Sequence, residues 1–196
     1  DQNINNCNLL NERVYKLSKN ENVKGIILSA RWSYYLLGDY KLEGAQFISN
    51  RKEGPFSLNG SIDAFLISFK TTIEKYKLIN VPIHLISQPP HQKHHPESAY
   101  FYESKGIHSV GDLSVNRAEF QKLNEIPMQT FITEQNDINL YDITDLFCDD
   151  LKCSIGESEA SFYYDRDHLS NYGALKLEDT INSIFTFNLI EKPENE

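Results

Sequence analysis

No apolar run in this sequence approaches the roughly 18–20 residues that a helix needs to span a bilayer. Residues 1–6 have neither the positive region nor the apolar region of a signal peptide. The protein is therefore soluble as it stands, or an export or membrane segment lies outside these residues. Basic side chains are also few, because 19 lysines and arginines stand against 28 acidic residues and give a formal charge of −9. That charge argues against a nucleic-acid partner, and it suits a neutral or cationic substrate, or a polysaccharide contacted through hydroxyls.

Cysteine is scarce as well, with only Cys7, Cys148 and Cys153. A disulfide between Cys148 and Cys153 would close a short loop and contribute about 2 kcal/mol on the chain-entropy model. The alternatives are two reduced thiols in a cytosolic protein, or half of a zinc site that no second pair completes. The spacing favours the disulfide, and with it an oxidising compartment. Cys7 then has no assigned partner.

The composition, 40% hydrophobic and 12% aromatic, is typical of a packed globular protein. A length of 196 residues is enough for one domain with a full core. Short apolar runs predict strands at residues 23–29, 81–87 and 138–143. Helical stripes alternate with these runs, so the sequence predicts an α/β fold with right-handed crossovers and a parallel sheet. Ligands bind beyond the carboxyl ends of such strands, where the loops at Ala30, Ser87 and Thr144 are expected.

Helix starts are predicted at three serines that can serve as N-caps, Ser61, Ser114 and Ser170. An earlier helical stripe ends near Asn20. The polar stretch that runs up to about Gly60 is interpreted as an excursion over the edge of the active site.

The segment with the clearest chemistry contains Asp165 and His168. A histidine that acts as general base needs a carboxylate to orient its ring and to stabilise the imidazolium. With a spacing of three residues, one tight turn can bring the Asp165 carboxylate to Nδ1 of His168 and leave Nε2 facing outward. Asp167 is expected to point away. The alternative is a surface histidine in a loop that enters a helix.

Residues 163–174, Tyr-Tyr-Asp-Arg-Asp-His-Leu-Ser-Asn-Tyr-Gly-Ala, resemble the last block of the SGNH (GDSL-like) hydrolase superfamily. More narrowly, they resemble the SGNH domains fused to a membrane acyltransferase-three module. Residues 26–34, residues 81–90 and the pair Cys148 and Cys153 are similar to further parts of that subgroup. The resemblance implies a three-layer, flavodoxin-like fold over residues 1–196, as one SGNH-like domain at the C-terminal part of a larger membrane acyltransferase.

The function that this resemblance implies is transfer of an acyl group, taken to be acetyl, to a hydroxyl of polysaccharide, lipopolysaccharide or peptidoglycan. His168 would be the acid and base and Asp165 its orienting group, in a periplasmic domain of an inner-membrane protein. The partners would be the glycan acceptor and the membrane module that delivers the acyl donor, with no cofactor and no metal. A soluble SGNH esterase or deacetylase, and a non-catalytic glycan-binding module, are the competing functions.

Two departures from the family pattern accompany the resemblance. The family's nucleophilic serine lies in a Gly-Asp-Ser block, and these residues contain none. Ser61 opens a helix after a polar loop and is a poor substitute, so we expect the chain to begin after that block and to be inactive alone. The sheet should then lack its first strand or strands, and residues 23–29 should pair on one side only, with residues 81–87.

The second departure concerns the oxyanion hole, where most of the superfamily has Gly-x-Asn-Asp after the third strand. Residues 30–33 here are Ala-Arg-Trp-Ser. Arg31 could stabilise the anion or pair with an acid, and Trp32 could stack on a sugar or simply pack. Among the other histidines, His84 is expected in the core. The cluster of His91, His94 and His95 is expected in an exposed loop and not at a metal.

Overall fold

The computed structural model describes residues 2–20, 22–38, 40, 47–49 and 57–190. The helices within these ranges are α1 (Gln2–Asn20), α2 (Trp32–Leu37), α3 (Leu58–Lys77), α4 (Pro96–Ser104), α5 (Val110–Leu113), α6 (Arg117–Leu123), α7 (Glu125–Thr133), α8 (Thr144–Phe147), α9 (Asn171–Leu175) and α10 (Glu178–Ile190). The strands are β1 (Ile26–Ser29), β2 (Ile83–Ile86), β3 (Val115–Asn116), β4 (Asn139–Tyr141) and β5 (Lys152–Cys153).

The main sheet is parallel and has the strand order β1-β2-β4. The central strand β2 is buried along its whole length, and strands covered on both faces carry near-continuous apolar runs. Side chains of a strand alternate between faces, so Ile83 and Leu85 share one face while His84 and Ile86 share the other. A second, two-stranded ladder pairs β3 with β5 in antiparallel fashion.

Helices cover both faces of the parallel sheet. On the first face α2, α3 and α7 contribute to one core cluster, whose buried members are Leu36, Phe65, Phe69, Ile73, Ile83, Leu85, Phe131 and Ile138. On the second face α8, α10 and the segment that contains Phe162 and Tyr163 form another core cluster. Its buried members are Ile86, Ile143, Phe147, Phe162, Tyr163 and Ile184. This confirms the predicted three-layer α/β fold.

Strand β1 lies at an edge of the sheet. It pairs with β2 through Ile26 opposite Ile83, and within the described ranges no strand pairs with its other side. Ile27 is consequently 43% exposed, whereas its partner His84 is fully buried. The one-sided pairing expected for residues 23–29 is thus what the described part of the chain has.

Helix α1 is present as its periodicity predicts, but its apolar stripe does not reach the core. Leu10, Val14 and Leu17 are 60%, 43% and 58% exposed. The helix is attached to α3 instead through its other side, where Tyr15 meets the edge of the Tyr76 ring. Helical period alone therefore identified the helix but not the face that packs.

Two of the three predicted N-caps are wrong. Helix α3 begins before Ser61 and is capped by Ser57, whose side chain accepts from the backbone N–H of Gly60. Ser114 does not cap α6, which begins after Asn116; its hydroxyl donates to Val110 O and accepts from the N–H of Ile155. Serine bonds readily to several backbone groups, so its presence near a helix start does not determine which residue caps.

The third cap, Ser170, is confirmed: its hydroxyl accepts from the N–H of Gly173 at 3.1 Å. The helix it begins is shorter than the apolar pattern predicts, because α9 ends at Leu175 and α10 starts at Glu178. A Cβ on Gly173 would clash with the carbonyl oxygen of Phe162. Glycine therefore lets α9 approach the backbone that leads into the candidate site.

Candidate functional site: an Asp–His pair on a hairpin tip

The Asp165–His168 segment forms the tip of a tight hairpin. Tyr163 and Leu169 form an antiparallel bridge, and the backbone N–H of Tyr164 donates to the carbonyl of His168 at 2.8 Å. Inside the tip, Oδ1 of Asp165 accepts from the N–H of Asp167 at 2.9 Å and from that of His168 at 2.8 Å. Aspartate favours such turns because its short side chain can bond to backbone N–H groups a few residues on.

The same carboxylate uses its other oxygen for the imidazole. Oδ2 of Asp165 lies 2.8 Å from Nδ1 of His168, within the range expected of a hydrogen bond. The His168 side chain is 61% exposed, so the ring is open to a ligand. This arrangement fits a histidine whose Nδ1 is occupied by an orienting carboxylate and whose other nitrogen can exchange protons.

The electrostatics of the tip favour an ionised Asp165. Partial burial by itself would raise the pKa of this carboxyl. The hydrogen bonds from the N–H groups of Asp167 and His168 and from the His168 ring outweigh that effect, and the pKa lies well below its ordinary value. The carboxylate therefore stays charged over the whole range in which a histidine titrates.

Asp167 does not point away from the site, contrary to the expectation from its neighbouring position. Its Oδ2 forms an ion pair with Nε of Arg31, and its Oδ1 lies 3.8 Å from Nδ1 of His168. The Arg31 guanidinium in turn lies over the Tyr34 ring, 3.8 Å from the centroid. The hairpin tip thus rests on the loop after β1, which turns Asp167 inward.

Arg31 therefore pairs with an acid, one of the two roles considered for it. Asp165, Asp167 and His168 offer ligand atoms within 4.8 Å of one another and are the described residues that could hold a metal ion. The guanidinium already compensates the charge of Asp167, so this cluster does not favour a cation.

Trp32 is half-buried and packs against the core cluster on the first face of the sheet. Its Nε1 donates to the carbonyl of Ile86 at 3.0 Å, and its ring meets Phe69 and Phe131 edge-on at centroid distances of 6.1 and 5.3 Å. These contacts are those of the packing role considered for Trp32. Its hydrogen bond joins the start of α2 to the end of β2, next to Arg31.

Gln92, which the sequence did not single out, attaches the hairpin to the rest of the domain. Its backbone N–H donates to the carbonyl of Arg166 at 2.6 Å. Its side chain is fully buried; Nε2 donates to the carbonyl of Cys153 at 3.0 Å and Oε1 accepts from the N–H of Val115 at 3.2 Å. Gln92 thus joins the hairpin tip, through its backbone, to the β3–β5 ladder, through its buried side chain.

Cys148 and Cys153 are joined in a disulfide at the end of that ladder, with an S–S distance of 2.02 Å. Cys153 is fully buried and packs in a small cluster with Val115 and Phe120. The loop between the cysteines is also held by Asp149, whose Oδ1 accepts from the N–H groups of Leu151 and Lys152. The Cys7 side chain lies outside the described residues.

His84, His94 and His95 take the places expected of them, but the exposed position expected for His91 is wrong. His84 is buried in β2, where its Nδ1 lies 3.1 Å from the hydroxyl of Tyr141. His94 and His95 are exposed, whereas His91 is buried near the Tyr34 and Tyr40 rings.

Ser61 is not placed to act as a nucleophile. It is fully buried and its hydroxyl donates to the carbonyl of Tyr35. The Asp–His pair therefore has no substitute nucleophile at this position.

The fold and the hairpin together define an SGNH-type domain. The chain belongs to the family of SGNH domains fused to AT3 domains, whose family model matches residues 1–183. Among solved structures, the periplasmic domain of lipopolysaccharide acetyltransferase from Salmonella ser. Paratyphi A is similar, with a TM-score of 0.56 and 15% sequence identity. The likeness covers 89% of this chain and 61% of that one, so this chain spans less than two thirds of the neighbour.

No curated protein matches the sequence significantly. Within the described ranges, no helix is both long enough and apolar enough to cross a membrane.

Proposed function

We propose that this domain acts in O-acylation of a glycan outside the cytoplasm, with His168 as general acid and base and Asp165 as its orienting group. The observation that carries the proposal is the 2.8 Å contact between the Asp165 carboxylate and Nδ1 of an exposed His168. Membership of a family fused to AT3 domains supports an acyltransferase setting. The similar fold of a lipopolysaccharide acetyltransferase domain favours acetyl as the group and lipopolysaccharide as the first acceptor to test.

The chemistry proceeds in two steps through a serine ester. In the first, Nε2 of His168 takes the serine proton while Oγ attacks the acyl carbonyl, and the proton passes to the leaving group. In the second, Nε2 takes the proton of a glycan hydroxyl as that oxygen attacks the ester, and the serine recovers its proton. Ionised Asp165 stabilises the imidazolium in both steps. The proposal requires a nucleophile from outside these residues, as well as an AT3 partner module that delivers the acyl group.

The test uses the full-length gene in its own host, with the O-acetyl content of surface glycans measured by NMR. His168→Ala should reduce acetylation to the level of a deletion strain, and Asp165→Asn should reduce the rate about 10²–10⁴-fold. His94→Ala, which changes an exposed histidine outside the hairpin, is the matched control and should behave as the wild type. Full acetylation by a stably expressed His168→Ala protein would refute the proposal.

The same assay separates the esterase, because the Asp–His pair can activate water as readily as a sugar hydroxyl. An esterase predicts that His168→Ala increases the O-acetyl content, since hydrolysis is lost. A transferase predicts a decrease.

A further inference from the structure

We propose that Tyr164 is a binding platform for a neutral sugar ring of the acceptor glycan, next to His168. The inference rests on the proposed function and specifies how its acceptor is held. It starts from the pairing of the hairpin. Because Tyr163 bridges Leu169 and the N–H of Tyr164 donates to the carbonyl of His168, Tyr164 and His168 are directly opposed across the two strands.

Directly opposed residues of an antiparallel pair project from the same face, with Cβ atoms about 4.5–5.5 Å apart. Tyr163 and Leu169 project from the other face and pack into the core cluster beneath the sheet. Tyr164 and His168 are therefore the two side chains that the hairpin presents to solvent side by side. The exposures agree, since Tyr164 is 82% exposed while Tyr163 is 2% exposed.

The Tyr164 ring contributes little to the core, yet its backbone is held firmly on both sides. Its N–H is bonded to His168, and the next residue, Asp165, holds the hairpin tip through its two backbone contacts. A tyrosine on such a backbone can bind with a small loss of entropy because it has only two side-chain torsions to fix. The ring is therefore held in place and open to a ligand that reaches the exposed His168 side chain.

The chemistry of the ring and its surroundings selects the ligand class. A tyrosine has an apolar face and a polar tip, which match the C–H face and the hydroxyl rim of a pyranose. The acceptor hydroxyl must come within about 2.6–3.2 Å of Nε2 of His168, so the sugar that carries it, or its neighbour, can lie on the adjacent ring. The ionised Asp165 beside this face, and the overall charge of −9, disfavour an acidic sugar.

The experiment measures binding of the host's own lipopolysaccharide O-chain, freed of acyl groups by mild base, to the full-length protein in detergent by calorimetry. Tyr164→Ala should weaken binding about five- to tenfold, and Tyr164→Phe should retain most of the affinity because the ring remains. Phe101→Ala is the matched control, since it removes an aromatic ring that is 56% exposed on α4; it should bind as the wild type does.

Every outcome of the binding and acetylation experiments either supports or overturns the platform. Equal binding by Tyr164→Ala and wild type, equal weakening by Phe101→Ala, or no binding by the wild-type chain would each overturn the platform. If Tyr164→Ala binds normally while His168→Ala abolishes acetylation in the host, the platform fails and the transferase proposal stands. If Tyr164→Ala loses affinity while His168→Ala leaves acetylation intact, the transferase proposal fails and the domain binds glycan without catalysing the transfer.

Discussion

Gln92 offers the sharpest test of how the hairpin is supported, through the substitution Gln92→Leu. Leucine is close in size to glutamine but can neither donate to the Cys153 carbonyl nor accept from the Val115 N–H. Both backbone groups then lose a partner that a fully buried side chain supplied. An unsatisfied buried group costs about 1–3 kcal/mol, so two cost about 2–6 kcal/mol.

The gain from burying an apolar side chain offsets part of that cost. Leucine recovers about 1–2 kcal/mol relative to the amide, so the middle of the two ranges leaves a net loss of about 2.5 kcal/mol in the free energy of unfolding. For a domain of this size the melting temperature should fall by about 5–10 °C. Urea unfolding followed by circular dichroism gives the free energy, and hydrogen exchange of the Val115 amide should accelerate selectively.

The matched control is Gln129→Leu on α7, where the side chain is exposed and the expected change is within about 0.5 kcal/mol. Gln92→Leu with the stability of the wild type and unchanged protection of the Val115 amide would refute the reasoning. It would mean that these two contacts do not hold the hairpin to the β3–β5 ladder.

Two further predictions concern the disulfide and the charge of the hairpin tip. Replacing both Cys148 and Cys153 by alanine should lower the free energy of unfolding by about 2 kcal/mol, measured by urea unfolding. Reduction of the wild-type protein should lower it by a similar amount. Equal stability of the oxidised and reduced protein would contradict this prediction. Because the Asp165 pKa is lowered by folding, its stabilisation is complete above the unfolded value of about 4 and decreases as the pH falls below it. Asp165→Asn should thus be less stable than the wild type at pH 7 and should lose less stability as the pH falls. Urea unfolding at a series of pH values measures both effects. Parallel curves of unfolding free energy against pH for the two proteins would refute the prediction.

The parts of the fold that the sequence predicted are those whose cause is local. Strand β2 was predicted from a short, mostly apolar run, and it is buried along its whole length between helices on both faces. The Asp165–His168 contact follows from a spacing of three residues in one turn. Such features can be read from a few consecutive residues.

The parts that were missed depend on neighbours distant in sequence. Asp167 faces inward because it pairs with Arg31, which follows β1. No sequence pattern around either residue indicates this ion pair. Gln92 is indistinguishable in sequence from a surface glutamine, although three elements converge on it. Helix α7 was not predicted. It contains Pro127 at its third position, where proline is tolerated because an N–H in the first turn has no partner within the helix.

The hairpin that carries Asp165 and His168 keeps the two together whatever the rest of the molecule does. Their contact is made within four consecutive residues and is held by backbone bonds of the same turn. A shift of the hairpin against β1 would therefore move the carboxylate and the imidazole as one rigid body. Under the proposed function, substitutions in the surrounding domain can thus change the distance from the imidazole to an attacking hydroxyl while leaving the imidazole correctly oriented, so evolution can reposition the pair for a different acceptor without rebuilding it.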